Sequence, residues 1–337
     1  MLRLPPFRYL APRTVVQAVH LLAQEGEQAM PVAGGTDLYP NMKRRQFTPS
    51  VLVGLRGIPE LKRIDGSPEQ GMCIGAGVTL SALASHPLIQ RHYSALATAA
   101  ASVSTPQLRN MGTLGGNLLL DTRCNYYNQT EFWRHSIGYC MKKDGDICLV
   151  APGSSRCWAI SSADTAPVLV SLGARVRLVS ERGEREIAVR ELFRDDGMHP
   201  YTKASDELLT AILLPPADDW HSVYLKLRRR GSFDFPILGV AAALRLTAEG
   251  IVTDARLTLG AVASYPVEAN EAASQLLHHT PDRELIDAVA VAAAKRAKPL
   301  DNADLTINYR KQVTPIYVRR ALKQLIEENK GEIAFTS

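Results

Sequence analysis

Val32-Ala33-Gly34-Gly35-Thr36-Asp37-Leu38 follows directly on a β-rich run, and about 80 residues later Gln107-Leu108-Arg109-Asn110 leads into Thr113-Leu114-Gly115-Gly116-Asn117. Adjacent glycines reach backbone conformations closed to other residues and let N–H groups come close to an anion. Thr36 and Thr113 add hydroxyls and Asn117 an amide, which are donors that a diphosphate accepts. Neither loop reads GxGxxG or GxxxxGK[ST], so a nicotinamide Rossmann site and a P-loop are not indicated. One Gly-Gly pair alone also reads as a tight turn between strands. Two in one chain, each beside a hydroxyl, point to a phosphate-bearing ligand gripped twice.

Outward from these loops the chain alternates between helical and extended patterns. TVVQAVHLLAQE (14–25) has apolar residues at helical spacing, opened by Thr14 and closed by Gly26. AMPVA (29–33), SVLVGL (50–55) and MCIGAGVTL (72–80) are short β-rich runs bounded by Gly or Pro, and residues 80–103 are Ala- and Leu-rich and read as helix. DTAPVLVSLGARVRLVS (164–180) predicts a helix and then a strand. EREIAV (184–189) and LLTAILLPP (208–216) predict two more strands, and the double proline at 215–216 marks a boundary. Beyond it, VYLKLRRR, GVAAALRLT and DARLTLGAVA read as strands, followed by helices at 268–277, 282–297 and 315–328. The expected class is α+β, in two parts.

Between 121 and 158 the texture changes. Tyr126, Tyr127, Phe132, Trp133, Tyr139 and Trp158 replace the aliphatic pattern, and neither periodicity is sustained. Four of the five cysteines, Cys124, Cys140, Cys148 and Cys157, fall within these residues in the spacing C-x15-C-x7-C-x8-C. Four thiolates are the ligand set of a [4Fe–4S] cluster or of a structural zinc. No CxxC knuckle occurs, and the wide single spacings suit a cubane wrapped by one loop; disulfides or unligated thiols are the remaining readings. Cys73, alone in a strand, reads as a buried core thiol, and His135 as a lone surface histidine.

The 337 residues are 46% hydrophobic and 22% charged, which excludes disordered and fibrous classes and suffices for two packed domains. The net charge of +5, from 39 basic and 34 acidic residues, is spread along the chain and argues for neither nucleic acid nor an anionic membrane. No run of 18 apolar residues predicts a membrane span. The Pro5-Pro6 pair in MLRLPPFRYLAPRT speaks against a signal peptide, so a cytoplasmic location is expected. No HExxH or GxSxG motif and no convergent His/carboxylate set nominates a catalytic residue in this chain.

AGGTDL (33–38), RNMGTLGGNL (109–118), SADTAPVLVSLGARVRLVS (162–180), DELLTAILLPP (206–216) and YLKLRRRGSFDFPILGVAAAL (224–244) together resemble the flavin-binding subunits of the molybdenum hydroxylase (xanthine oxidase) superfamily. The resemblance runs over about residues 4–326. It implies a two-part FAD-binding domain of the PCMH (vanillyl-alcohol oxidase) type at 1–217, then a domain like the C-terminal part of carbon monoxide dehydrogenase flavoproteins at 218–330. By position it implies that Val32, Ala33, Gly34, Gly35, Thr36, Asp37 and Leu38 wrap the FAD diphosphate and ribityl chain. Leu108, Thr113, Gly115, Gly116 and Asn117 form the second loop. Asp164 sits by the adenosine or flavin end, and Leu209 and Lys226 approach the isoalloxazine. From the residues alone, Asp164 reads equally as a helix N-cap and Lys226 as part of a solvated strand face.

In most of that family the second loop leads within about ten residues to the Asp-containing helix; here about 37 more intervene. DTRCNYYNQTEFWR and the three later cysteines resemble the β subunits of the 4-hydroxybenzoyl-CoA reductase subfamily. This implies a [4Fe–4S] cluster on Cys124, Cys140, Cys148 and Cys157 within the 121–158 insertion. It also implies a molybdopterin-binding large subunit, a small [2Fe–2S] subunit, a heterotrimer or its dimer, ferredoxin as electron donor, and reductive dehydroxylation to benzoyl-CoA. The alternatives are an ordinary molybdenum hydroxylase flavin subunit passing electrons outward, or a non-redox chain whose insertion is a zinc-stabilised binding loop.

Overall fold

In the computed structural model, which describes the backbone of residues 2–336 and the side chains of residues 2–327, Thr14 caps the helix Val15–Glu25 by accepting from the Gln17 amide. Gly26 ends that helix at φ 59°, a left-handed turn that other residues rarely adopt. The helix lays Ala18, Val19 and Leu22 on a small parallel sheet of β1 (Arg8–Leu10), β2 (Ala29–Val32) and β3 (Val51–Gly54), ordered β1-β3-β2.

The second sheet joins distant parts of the sequence. β4 (Ile64–Ser67) and β5 (Gly71–Gly75) precede the glycine-rich second loop, whereas β6 (Arg175–Ser180), β7 (Gly183–Ala188) and β8 (Leu208–Leu214) follow the insertion. They pair antiparallel in the order β4-β5-β8-β6-β7. Helices Leu80–Ser85, Pro87–His92, Ser94–Ser102 and Thr165–Ser171 cover this sheet, and the largest core lies between them. Helix Thr165–Ser171 is buried on every face, which explains why its sequence is unbroken APVLVS rather than amphipathic.

The third sheet is antiparallel, β12-β11-β10-β9, from β9 (Trp220–Leu227), β10 (Leu238–Leu246), β11 (Val252–Gly260) and β12 (Val267–Glu268). Helices Arg283–Ala294 and Ile307–Thr336 pack on it over a second large core. Two sequence readings change here. Helix is confined to Asn270–Ala273, with a 3₁₀ turn at Ser274–Leu276, within the expected 268–277. The last helix begins eight residues before Pro315, which it carries internally although proline removes one backbone donor. Among the described residues no helix is long and apolar enough to cross a membrane.

The insertion leaves and rejoins this framework at one point. Arg123 and Ile160 exchange both backbone hydrogen bonds, each 2.8 Å, and so close a neck. Beyond the neck its only α-helix among the described residues is Glu131–Ser136, capped by Thr130. Its interior is a small separate cluster in which Cys124, Cys140 and Cys157 pack with Tyr127 and Ala159.

Candidate functional site

The two glycine loops meet. A Cβ on Gly34 would lie 1.9 Å from the Met111 carbonyl oxygen and 3.0 Å from the Gly112 nitrogen, so only glycine lets the first loop pass against the lead-in to the second. Gly35 has φ 70°, and a Cβ there would strike the Tyr39 ring at 2.3 Å. Leu108 accepts from Gly112 N–H at 2.7 Å and thereby tightens the turn before the second loop. Thr113 caps the short helix Leu114–Leu118 by accepting from Gly116 N–H at 3.1 Å. Gly115 is locked against Ala76, donating to its carbonyl at 2.9 Å, and Ala76 in turn donates to Thr210 O beside Leu209. Leu209 itself is buried on β8, opposite Leu178. Gly116 differs from its neighbours. It is exposed, its φ is not positive, and an added Cβ would meet only Thr113 Oγ1, at 3.0 Å. Gly116 is thus an open notch on an otherwise fixed loop.

A buried polar chain runs from the second loop to the third sheet. Asn117 Oδ1 accepts from both the amide (3.1 Å) and the hydroxyl (2.7 Å) of Thr165. Next to it, Asp164 accepts from Tyr224 OH at 2.8 Å and from Lys226 Nζ at 2.9 Å, and Lys226 also donates to Ser102 O at 3.0 Å. The Asp164 and Lys226 side chains are 3% and 4% exposed. Burial pushes the Asp164 carboxyl up, against the pull of Lys226, and pushes the Lys226 ammonium down. Removing one partner of such a pair costs about 3–5 kcal/mol, because the other charge is left uncompensated. Two local readings are thereby corrected. Asp164 occupies the N-cap position of its helix, but its side chain makes no cap bond, and Lys226 is interior rather than on a solvated face. Tyr224 and Thr165 escaped the sequence reading, although the alternation of a strand places Tyr224 and Lys226 on one face.

Asp37 is engaged within the chain. It forms an ion pair with Arg123 at the neck of the insertion and accepts from Asn41 Nδ2 at 2.9 Å. Arg123 also stacks over Phe235, 4.5 Å from the ring centroid. Gln46 donates to Tyr127 O, and Arg134, buried inside the insertion, donates to Arg44 O. The insertion is thus docked along the segment that leaves the first loop. Val32 is buried at the end of β2, while Ala33, Gly34, Thr36 and Leu38 are half-buried around the turn.

Cys124, Cys140, Cys148 and Cys157 are all reduced, all buried, and together line one narrow cavity with Tyr126, Tyr127, Leu149 and Ala159. Burial pushes the Cys124 thiol up to about 12 and the Cys157 thiol up to about 11. Among the described residues no three His, Cys, Asp or Glu side chains are grouped as ligands of one metal ion. A single tetrahedral zinc needs thiolates about 3.8 Å apart, from Zn–S bonds of about 2.3 Å, whereas a cubane spreads its four cysteines around a larger body. The four thiols border one space, and the Ala159 N–H donates to Cys157 Sγ at 3.4 Å. Cys73 is half-buried on β5 rather than in the core, and His135 is exposed, edge-on to Tyr139.

Residues 5–217 match the family described as the FAD binding domain in molybdopterin dehydrogenase, and residues 222–325 match the CO dehydrogenase flavoprotein C-terminal domain. With the glycine cradle, these matches define the chain as a flavoprotein and an oxidoreductase subunit. It belongs to the FAD-binding subunits of the molybdenum hydroxylase (xanthine oxidase) superfamily. The aldehyde oxidoreductase FAD-binding subunit PaoB of Escherichia coli is 32% identical over 80% of this chain and 86% of its own length. The carbon monoxide dehydrogenase medium chain of Afipia carboxidovorans is 31% identical over 94% and 96%. Among solved structures, the carbon monoxide dehydrogenase of Hydrogenophaga pseudoflava that lacks the Mo-pyranopterin moiety superposes with TM-score 0.79 at 27% identity, covering 97% of this chain and 99% of that one.

Proposed function

We propose that the chain is the electron-relay subunit of a molybdenum-dependent complex. In this reading residues 1–217 hold FAD, residues 218–330 close over it, and separate molybdopterin and [2Fe–2S] subunits carry the substrate chemistry. The observation that carries it is the meeting of the two glycine loops, with Gly116 left open and Asp164 and Lys226 fixed behind them. Val32 to Leu38 with Leu108, Thr113, Gly115, Gly116 and Asn117 form the cradle, and Asp164, Leu209 and Lys226 its inner wall. FAD, when bound, supplies a centre that exchanges electrons in pairs or singly. The chain's part is to exclude water, to hold the diphosphate by backbone N–H groups, and to keep a buried lysine beside the cofactor. The names of the relatives, aldehyde oxidoreductase and carbon monoxide dehydrogenase among them, support outward transfer from a molybdenum centre as the general reading.

A second reading, favoured by the four-cysteine cavity, is that the insertion holds a [4Fe–4S] cluster and that electrons enter through it from a one-electron donor such as ferredoxin. That direction suits reductive dehydroxylation of 4-hydroxybenzoyl-CoA. The chain's residues contribute four thiolate positions and a wall of aromatic and aliphatic side chains. Metal and flavin analysis with a visible spectrum of the anaerobically purified full chain tests both readings. One FAD and four irons per chain, with flavin bands over a broad iron–sulfur shoulder, are expected. A flavin-only spectrum removes the second reading and leaves the first; a colourless protein removes both.

A further inference from the structure

We infer that Lys142 tunes the reduction potential of the group held by Cys124, Cys140, Cys148 and Cys157, and that Asp121 limits its effect as counter-charge. The inference rests on the cluster reading above. Of the residues lining the cysteine cavity, Lys142 alone carries a charge; the others are cysteines, aliphatic residues and two tyrosines. Its side chain is 5% exposed. The ammonium donates to Asp121 Oδ1 at 2.8 Å, Thr122 Oγ1 at 2.6 Å and Gly197 O at 2.6 Å, so its three donors have three acceptors and its position is fixed. The Tyr127 ring, 4.7 Å away, closes another side.

A staple between the insertion and residues 121, 122 and 197 does not require a charge. Burying an ammonium costs several kcal/mol, and a neutral amide would tie the same carbonyl and hydroxyl more cheaply. The pair is also unevenly built. Asp121 does not line the cavity, and its second oxygen, Oδ2, is buried with no hydrogen-bond partner. Lys142 therefore borders the cavity and its charge favours the Cys157 thiolate, while its counter-ion Asp121 lies outside the cavity lining.

The consequence follows from charge. Four thiolates around a [4Fe–4S]²⁺ core carry a net charge of −2, and uptake of one electron, with no proton, makes it −3. A fixed cation at the wall stabilises the more negative state and raises the potential. Withdrawing the counter-ion raises it further, because in a dry site the lysine's field is then uncancelled.

The test is a redox titration of the full chain, purified anaerobically and reduced stepwise with dithionite, with the cluster followed by electron paramagnetic resonance. In Lys142→Met the one-electron equilibrium should move at least tenfold toward the oxidised form, which is about 59 mV for a one-electron couple. In Asp121→Asn it should move in the opposite direction. Midpoints unchanged in both variants, with the cluster signal intact, would make Lys142 a structural staple only and overturn the inference. Should Lys142→Met fail to retain a cluster, Asp121→Asn decides by itself, since it keeps the cation and its two other acceptors. Absence of iron from the unaltered chain overturns the cluster reading and this inference with it, whereas iron present with unmoved midpoints overturns only the latter.

Discussion

Gly35 and Gly116 sit in similar sequence contexts, yet the structure asks different things of them. Gly35 needs its φ of 70° and the space taken by the Tyr39 ring, so Gly35→Val introduces strain as well as a clash. About 1–2 kcal/mol of backbone cost is expected for a left-handed residue with a side chain, visible as a lowered Tm even without flavin. Gly116 is exposed, and an added Cβ would press only on Thr113 Oγ1, at 3.0 Å, so only that hydroxyl must give way. Gly116→Val should therefore fold with nearly unchanged apo stability while losing most of its FAD, because only the ligand's approach is blocked. Thermal melts of flavin-stripped protein together with flavin content after reconstitution separate the two effects. Full FAD occupancy in Gly116→Val would show that the notch is not part of the cradle.

At the scale of elements, strands and capped helices were legible because local rules govern them: Thr14 and Gly26 mark their helix, and Gly or Pro bounds each short strand. The glycine loops could be found, but not their meeting, since contact between residues 34 and 111 depends on how the parallel sheet packs beside the antiparallel one. Asp164 and Lys226 could be named only by resemblance. Their burial follows from three elements converging, which no local window contains. The expected start of the last helix at 315 is eight residues late, because the helix continues through Pro315. The insertion is the reverse case, where missing periodicity was itself the signal. Its small interior is built around thiols, so on the cluster reading proposed above Cys140→Ser or Cys148→Ser should lose about four irons per chain and make residues 124–159 the first site of limited proteolysis. FAD should stay bound in these variants, because Arg123, which pairs with Asp37, is held at the neck by Ile160 and not by the cysteines. Loss of flavin in step with iron would show that the insertion supports the cradle directly.

At the scale of the whole molecule, three sheets and two large cores among the described residues frame the flavoprotein subunit, and the measurement that separates the two proposed readings is the direction of current. With partner subunits present, the cluster reading expects reduced ferredoxin or a reduced viologen to drive turnover at least tenfold faster than NADH. Equal rates would remove the cluster reading and leave the first, outward-transferring one. The paired backbone at Arg123 and Ile160 also bears on how separable the insertion is. The ends of the excursion already touch, so bridging them costs little loop-closure entropy, and removing it forgoes the contacts that Gln46 and Arg44 make with it. Replacing residues 124–159 with a two-residue glycine turn should give a soluble, yellow, iron-free protein whose dye-linked flavin reduction survives. The neck is thus a seam at which the insertion joins the flavoprotein framework, and along which it can be unpicked.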